Sequence, residues 1–244
     1  MAKANDTLVF IPAWNEEQSL PAVLEELRGE LPDADVLVVD DGSTDRTAAV
    51  ARDQGAEVLS FGENRGLRAA IAAGYGYAAE HGYAFCGRVD ADGQHPVPEL
   101  RNLLELVRSD RCDVAVGSRY ATASGDGFSR ERYETSPARR LGTGLLRRSI
   151  EVVLDRPFHD ATSGMYAVNA KALPALARPY TSGAPEVEAV LRLHEEGLRV
   201  DEIPGEMRER TSGESKLQGK KALVLVLTVA GTLITAEFLR RRRA

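Results

Sequence analysis

Residues 89–96, VDADGQHP, follow the apolar, strand-like run YAFCG and end in a proline that stops any extension. Two carboxylates one residue apart, Asp90 and Asp92, stand where the run ends. If the run is a strand, side chains two apart share a side and both acids face one point just beyond it. At ~6 Å such a pair repels by about 3 kcal/mol at an effective dielectric near 20, a cost that a cation relieves. A hard divalent ion, Mg²⁺ or Mn²⁺, suits the pair because it takes few protein oxygens and leaves positions for water and substrate phosphates. The amide of Gln94 supplies a third oxygen at the same spacing.

The chain carries its own comparison. Asp33-Ala34-Asp35 is the same tripeptide, but it follows Pro32 and precedes its strand, so it belongs to the opposite edge of a sheet. Open α/β sheets bind ligands at the carboxyl ends of their strands, which favours Asp90 and Asp92 as the site and makes Asp33 and Asp35 a solvated turn.

Outward from this point the pattern is α/β. Strand-like TLVFIP, DVLVVDD, AEVLSF, YAFCGRVD and DVAVGSRY alternate with helical segments, the signature of a mixed, mostly parallel central sheet flanked by helices. Leu20, Val23, Leu24 and Leu27 share one helix face, with Ser19 as the expected cap. A second capped helix ends at Gly55, and the helix from Gly66 is rich in small residues able to pack close to the sheet. Beyond Tyr120 the rhythm breaks. Residues 121–136 are glycine-rich and polar, the composition of a lid or binding segment, and a helix studded with Arg139, Arg140, Arg147 and Arg148 follows. Further on come a helix around 186–196 and the strand LRVDEIP.

The 244 residues are 43% hydrophobic, enough for one large domain, divided into residues 1–120, 121–217 and a tail of 218–244. A net charge of −6 and a pI near 5.4 argue against a nucleic-acid partner. Cys86 and Cys112 form neither a disulfide framework nor a zinc motif, which fits the cytoplasm. In the tail, residues 222–238 are nearly all apolar between Lys220-Lys221 and Arg240–Arg243. About 17 residues is the lower limit for a span, so a short transmembrane helix, an interfacial helix and a helix buried in an oligomer compete. Peripheral or short-anchored attachment to the cytoplasmic face is the favoured reading, and the arginines of 130–148 either lie along anionic headgroups or form a solvated helix face.

Other polar clusters fall at neighbouring strand ends. Pro12, Trp14 and Glu16 close the first strand, Asp40-Asp41 the second, and Asn64 and Gly66 follow the third. The Asp40-Asp41 pair is either a helix cap or an acceptor for the ring N–H of a guanine or uracil. Trp14 is either core or base-facing. His95 is placed to support Asp92 as a polar contact, and His159 adjoins Asp160. Gly74-Tyr75-Gly76 falls within a helix, which excludes a dinucleotide fingerprint.

Taken in order, IPAWNEE, VVDDGSTD, NRG, DADGQHP, GSRY, DATSG and GESKL make the chain resemble glycosyltransferase family 2, nearest its dolichol-phosphate and polyprenyl-phosphate mannose synthases, from about Leu8 to Leu217. The resemblance implies the GT-A fold, a nucleotide-sugar donor, Mg²⁺ or Mn²⁺, and inversion at the anomeric carbon. It places Pro12, Trp14, Glu16, Asp41, Asn64, Gly66 and Asp90 around the nucleotide, and Asp90, Asp92 and Gln94 on the metal. Arg119, Asp160, Ser163, Gly164, Arg210, Ser215 and Lys216 would surround the diphosphate and an acceptor phosphate. GDP-mannose is the donor the nearest group implies, with a UDP-sugar close behind, and a polyprenyl or dolichyl phosphate is the implied acceptor. Where the pattern after TSG usually continues with an aromatic and an arginine, this chain has Met165-Tyr166, so an acceptor-side arginine is absent. An ionised phosphate acceptor needs positioning, whereas a soluble hydroxyl acceptor needs a general base, for which Asp160 is the candidate unless it only caps the ATSG turn. A protein that binds a nucleotide sugar without transferring it is the non-enzymatic alternative.

Overall fold

The computed structural model describes residues 5–120, 150, 151, 154, 157–160, 162–205 and 208. In chain order the elements are β1 (Thr7–Ala13), α1 (Leu20–Glu30), β2 (Asp35–Asp40), α2 (Thr47–Asp53), β3 (Glu57–Ser60), α3 (Leu67–Glu80), β4 (Phe85–Arg88), α4 (Val97–Arg108) and β5 (Val114–Ser118). They continue with β6 (Tyr166–Asn169), α5 (Leu173–Leu176), α6 (Pro185–Glu195) and β7 (Val200–Pro204). Seven strands form one sheet in the order β3-β2-β1-β4-β6-β5-β7. Only β6 runs against its neighbours, β4 and β5; the other pairs are parallel. The carboxyl ends of the other six strands therefore share one rim, and β6 starts there.

Strand alternation builds a core on each face. Leu8 and Phe10 of β1 join the apolar face of α3 and α6, while Val9, Ile11 and Ala13 join α1 and α4. The small residues of α3 do the work expected of them: a Cβ on Gly74 would lie 2.2 Å from the Phe10 ring, so only glycine lets the helix approach this closely. The Gly74-Tyr75-Gly76 run does lie inside α3.

Several local expectations are corrected. Ser19 precedes α1 but makes no side-chain cap, because its hydroxyl donates to Glu16 Oε2 at 2.6 Å. Helix α2 likewise has no side-chain cap, its first turn being held through Asp45, whose Oδ1 accepts the Thr47 N–H at 2.9 Å. Strand β4 ends at Arg88, so Asp90 and Asp92 do not ride a strand; they leave the sheet on a turn in which Gly93 takes φ +72°. The 4-residue strand β6 has no counterpart among the segments expected from sequence, and its antiparallel placement makes the sheet mixed. Residues 121–149, Arg210, Ser215, Lys216 and the apolar stretch 222–238 lie outside the described residues. Among the described residues no helix is long and apolar enough to cross a membrane.

Candidate active site

The first layer of the rim is a pair of loops stitched together. After β1, the Asn15 N–H donates to Ser43 Oγ at 3.0 Å and the Glu16 N–H to Thr47 Oγ1 at 2.8 Å. In return the Thr44 N–H donates to Asn15 Oδ1 at 2.8 Å and the Arg46 N–H to Glu17 Oε2 at 2.9 Å. Asn15 reaches this geometry with φ +56°, which asparagine tolerates better than most residues. Pro12 is buried in β1, whereas Trp14 is 39% exposed at the rim and so is not core.

Asp40, the last residue of β2, and Asp41 after it are both buried and satisfied. Asp40 accepts the Ser43 N–H at 3.0 Å and the Ser60 hydroxyl at 2.7 Å. Asp41 Oδ1 accepts the Arg65 N–H at 2.7 Å, and its Oδ2 accepts the Gly66 N–H at 2.9 Å. The pair does not cap α2; Asp41 instead holds the backbone of the Arg65-Gly66 turn that leads into α3, 24 residues on. Asn64 is exposed beside it. Gly42 is required here, since a Cβ would lie 2.2 Å from the Glu63 backbone at φ +68°.

The next turn carries Asp90, Asp92, Gln94 and His95. Asp92 is buried and its Oδ1 accepts the Gln94 N–H at 3.0 Å. Asp90 is half-buried; burial works to raise its pKa, but the charge of Arg88 and its hydrogen bond to the carboxylate outweigh it and hold the carboxyl below its ordinary value. The buried His95 ring accepts the Asp90 N–H at Nδ1, 3.2 Å away, so a neutral ring carries its proton on Nε2, which has no partner among the described residues. Burial depresses the His95 pKa against the raising effect of Asp90 and Asp92, which keeps the ring neutral. His95 therefore braces Asp90 rather than Asp92.

Opposite these acids, Arg119 follows β5 and Asp160 precedes β6. Asp160 is 1% exposed and takes a two-pronged ion pair, Nε to Oδ2 at 2.7 Å and Nη2 to Oδ1 at 2.6 Å, plus the Arg119 N–H at 3.0 Å. Burial alone would raise the Asp160 pKa, but its bonds to Arg119 outweigh this and lower it. Asp160 Oδ1 also accepts the Thr162 N–H at 3.3 Å, the turn-capping role expected for ATSG. Ser163 donates to the Gly117 carbonyl, tying this turn to β5. Gly164 meets the turn of Asp90 itself, for a Cβ there would stand 2.3 Å from Asp90 Oδ2. The long-range charge of Arg119 acts on Asp90 and on His95, so these motifs share one electrostatic neighbourhood.

Three supporting residues escaped the sequence reading. Glu202 of β7 accepts the Asp160 N–H at 2.6 Å and the His159 N–H at 2.8 Å, and lies 2.9 Å from His159 Nδ1. His159 is thereby engaged with Glu202. Arg88 and Glu186 form a buried ion pair at 3.1 Å beneath the rim. A buried acid before a strand-ending proline, or a charge within an apolar strand, is the only sequence signal for these. By contrast Asp35 begins β2 at the far edge of the sheet; in place of the expected solvated turn it is half-buried, accepting from Asn5 at 2.8 Å and the Tyr83 hydroxyl at 2.7 Å.

No three His, Cys, Asp or Glu side chains converge as a self-sufficient metal centre among the described residues. The turn after β4 carries Asp90, Asp92 and Gln94 together, with Asp92 Oδ1 engaged by the Gln94 N–H at 3.0 Å.

A family model, glycosyl transferase family 2, matches residues 8–175. The chain belongs to this family. As a family 2 glycosyltransferase it is 35% identical over 220 residues to an undecaprenyl-phosphate mannosyltransferase of Micrococcus luteus, covering 87% of each chain. It is 30% identical over 234 residues to a polyprenol monophosphomannose synthase of Mycolicibacterium smegmatis, covering 92% of this chain and 85% of that one. Its fold matches that of glucosyl-3-phosphoglycerate synthase from Mycobacterium tuberculosis, solved with Mn²⁺, UDP and phosphoglyceric acid, at TM-score 0.68 and 19% identity over 94% of this chain and 78% of that one. The expected GT-A-like architecture is thus met.

Proposed function

We propose that this glycosyltransferase moves a hexose, mannose from GDP-mannose in the first instance, to a polyprenyl or dolichyl phosphate with inversion at the anomeric carbon. The two similar mannosyltransferases support the acceptor class by their names, and the solved neighbours carrying Mn²⁺ with UDP, or with GDP-mannose in a Pyrobaculum calidifontis mannosyltransferase, support the metal and donor class.

The observation that carries the reading is the state of Asp160. A hydroxyl acceptor needs a carboxylate free to take its proton, and Asp160 has both oxygens committed to Arg119 and a lowered pKa. A phosphate acceptor is already ionised and needs only to be held. Asp160 then serves by fixing the Arg119 guanidinium toward the phosphates, and Glu202 fixes Asp160 in turn.

Trp14, Glu16, Asn64 and Pro12 line the base side in this proposal, with Asp41 and Gly66 shaping that corner through their own bonds. Asp90, Asp92 and Gln94 would hold Mg²⁺ or Mn²⁺, which when bound neutralises charge on the departing diphosphate. Gly164 fits so closely against Asp90 that a Cβ has no room, and Ser163 ties the same turn to β5. Arg210, Ser215 and Lys216 are assigned to the acceptor phosphate, residues 1–120 to the donor and 121–217 to the acceptor. Residues 222–238 with their basic flanks would bring the enzyme to the cytoplasmic membrane face.

The test is transfer of labelled sugar from GDP-mannose and from UDP-glucose to undecaprenyl phosphate, with Mn²⁺ and with a chelator. Chelator-sensitive lipid product supports the proposal; label released only as free sugar, or passed only to a soluble hydroxyl compound, refutes the acceptor.

A further inference from the structure

Arg88 is the last residue of β4 and shares the strand face of Cys86, toward α3 and α6, where it is only 2% exposed. Its Nη2 lies 3.1 Å from Glu186 Oε1, in the first turn of α6, and 3.4 Å from Asp90 Oδ1. One nitrogen is therefore divided between two carboxylates, and the shorter contact is to Glu186. Among the described residues no other hydrogen bond pins the group. Its Nε is buried with no hydrogen-bond partner among the described residues, as are the hydroxyls of Tyr166 and Tyr180 nearby. A buried arginine serving only as a strut would be expected to have its donors saturated. Burial opposes its charge, but the carboxylates of Asp90 and Glu186 more than compensate, raising its pKa and keeping it cationic.

A permanent cation beneath Asp90 competes with any metal for the same carboxylate. Resting on the assignment of Asp90 to the metal-binding pair, we propose that Arg88 is a positioning residue shared between two acids, and that Glu186, by holding it, leaves Asp90 available to a divalent cation. Glu186 thus acts on the metal site without touching the metal. If its charge is removed, Asp90 is the remaining carboxylate in contact with Arg88 among the described residues, and the guanidinium turns toward it. The other oxygen, Oδ2, faces Gly164 and lies 3.8 Å from His95 Nδ1, on the side away from Arg88's contact with Oδ1.

Simple long-range attraction would also weaken cation binding when Glu186 is neutralised, so a double-mutant cycle is needed. Free Mn²⁺ is followed by electron paramagnetic resonance during titration of the full chain in the presence of GDP or UDP. Glu186→Gln should raise the Mn²⁺ dissociation constant about tenfold, the scale of one hydrogen bond to a charged group. In an Arg88→Met background the same Glu186→Gln change should move it by less than about threefold, since no guanidinium remains to be released. Equal losses in both backgrounds overturn the proposal. If Arg88→Met does not fold by its thermal transition, Arg88→Gln completes the cycle with the same two outcomes. A wild-type chain that binds no Mn²⁺ with either nucleotide overturns this inference together with the metal assignment; wild-type binding with additive losses overturns this inference alone.

Discussion

Gly164 stands so close to Asp90 that a Cβ on it would meet Oδ2 at 2.3 Å and Cγ at 2.8 Å. Two motifs 74 residues apart in sequence are thereby in contact, and the acid's position depends on the absence of a side chain. Gly164→Ala should push Asp90 and His95 off their places, abolishing Mn²⁺-dependent nucleotide binding in calorimetry. Because the overlap is with side chains at the rim, the folded state should survive at a cost of about 1–3 kcal/mol, read from denaturant unfolding.

Asp92→Ala and Asp35→Ala separate the two Asp-Ala-Asp tripeptides. Metal-dependent donor binding should vanish in the first and persist in the second. Asp35→Ala should instead lose about 1 kcal/mol of stability per lost hydrogen bond, since Asn5 and Tyr83 both donate to it. Equal loss of binding in both variants would refute the assignment of the metal pair.

Asp160→Asn leaves Arg119 with a neutral partner in place of its bidentate counter-ion. The expected result is a fall in kcat of about 100-fold, as when one preorganised donor is lost, with the shape of the pH–rate profile unchanged. Arg119→Lys should behave alike, keeping the charge and losing the fork. Disappearance of an acidic limb from the profile of Asp160→Asn would instead mark Asp160 as a base.

Acid stability follows from the lowered carboxyls. Asp160, Asp90 and Asp113 all titrate below the ordinary 3.8, Asp113 because Arg199 hydrogen-bonds to it. A depressed folded pKa contributes stability that is complete above the unfolded value and is lost as pH falls through the folded one. Unfolding at fixed temperature should therefore be insensitive to these groups near neutrality and set in below about pH 4, with Asp160→Asn lacking its share of the slope.

The parallel half of the sheet was legible because β-branched runs alternate with amphipathic helices, and the rim site because acids, glycines and asparagines cluster where those runs stop. What stayed hidden depended on partners distant in sequence. Arg88 reads as one polar residue in a strand until Glu186, 98 residues later, is folded against it. Asp41 looks like a cap for the helix that follows it, yet it accepts the Arg65 and Gly66 N–H groups of the turn before α3. Strand β6 is 4 residues long and owes its place to the backbone ladders of β4 and β5 rather than to its own pattern. Ser19 follows the capping rule by type, but a nearer carboxylate on Glu16 captures its hydroxyl.

The reciprocal bonds between residues 15–17 and 43–47 make those two loops a single cassette. Grafting either one alone from another transferase, to alter which nucleotide is read, would strand donors and acceptors on both sides. A change of base preference should be sought by exchanging the two together.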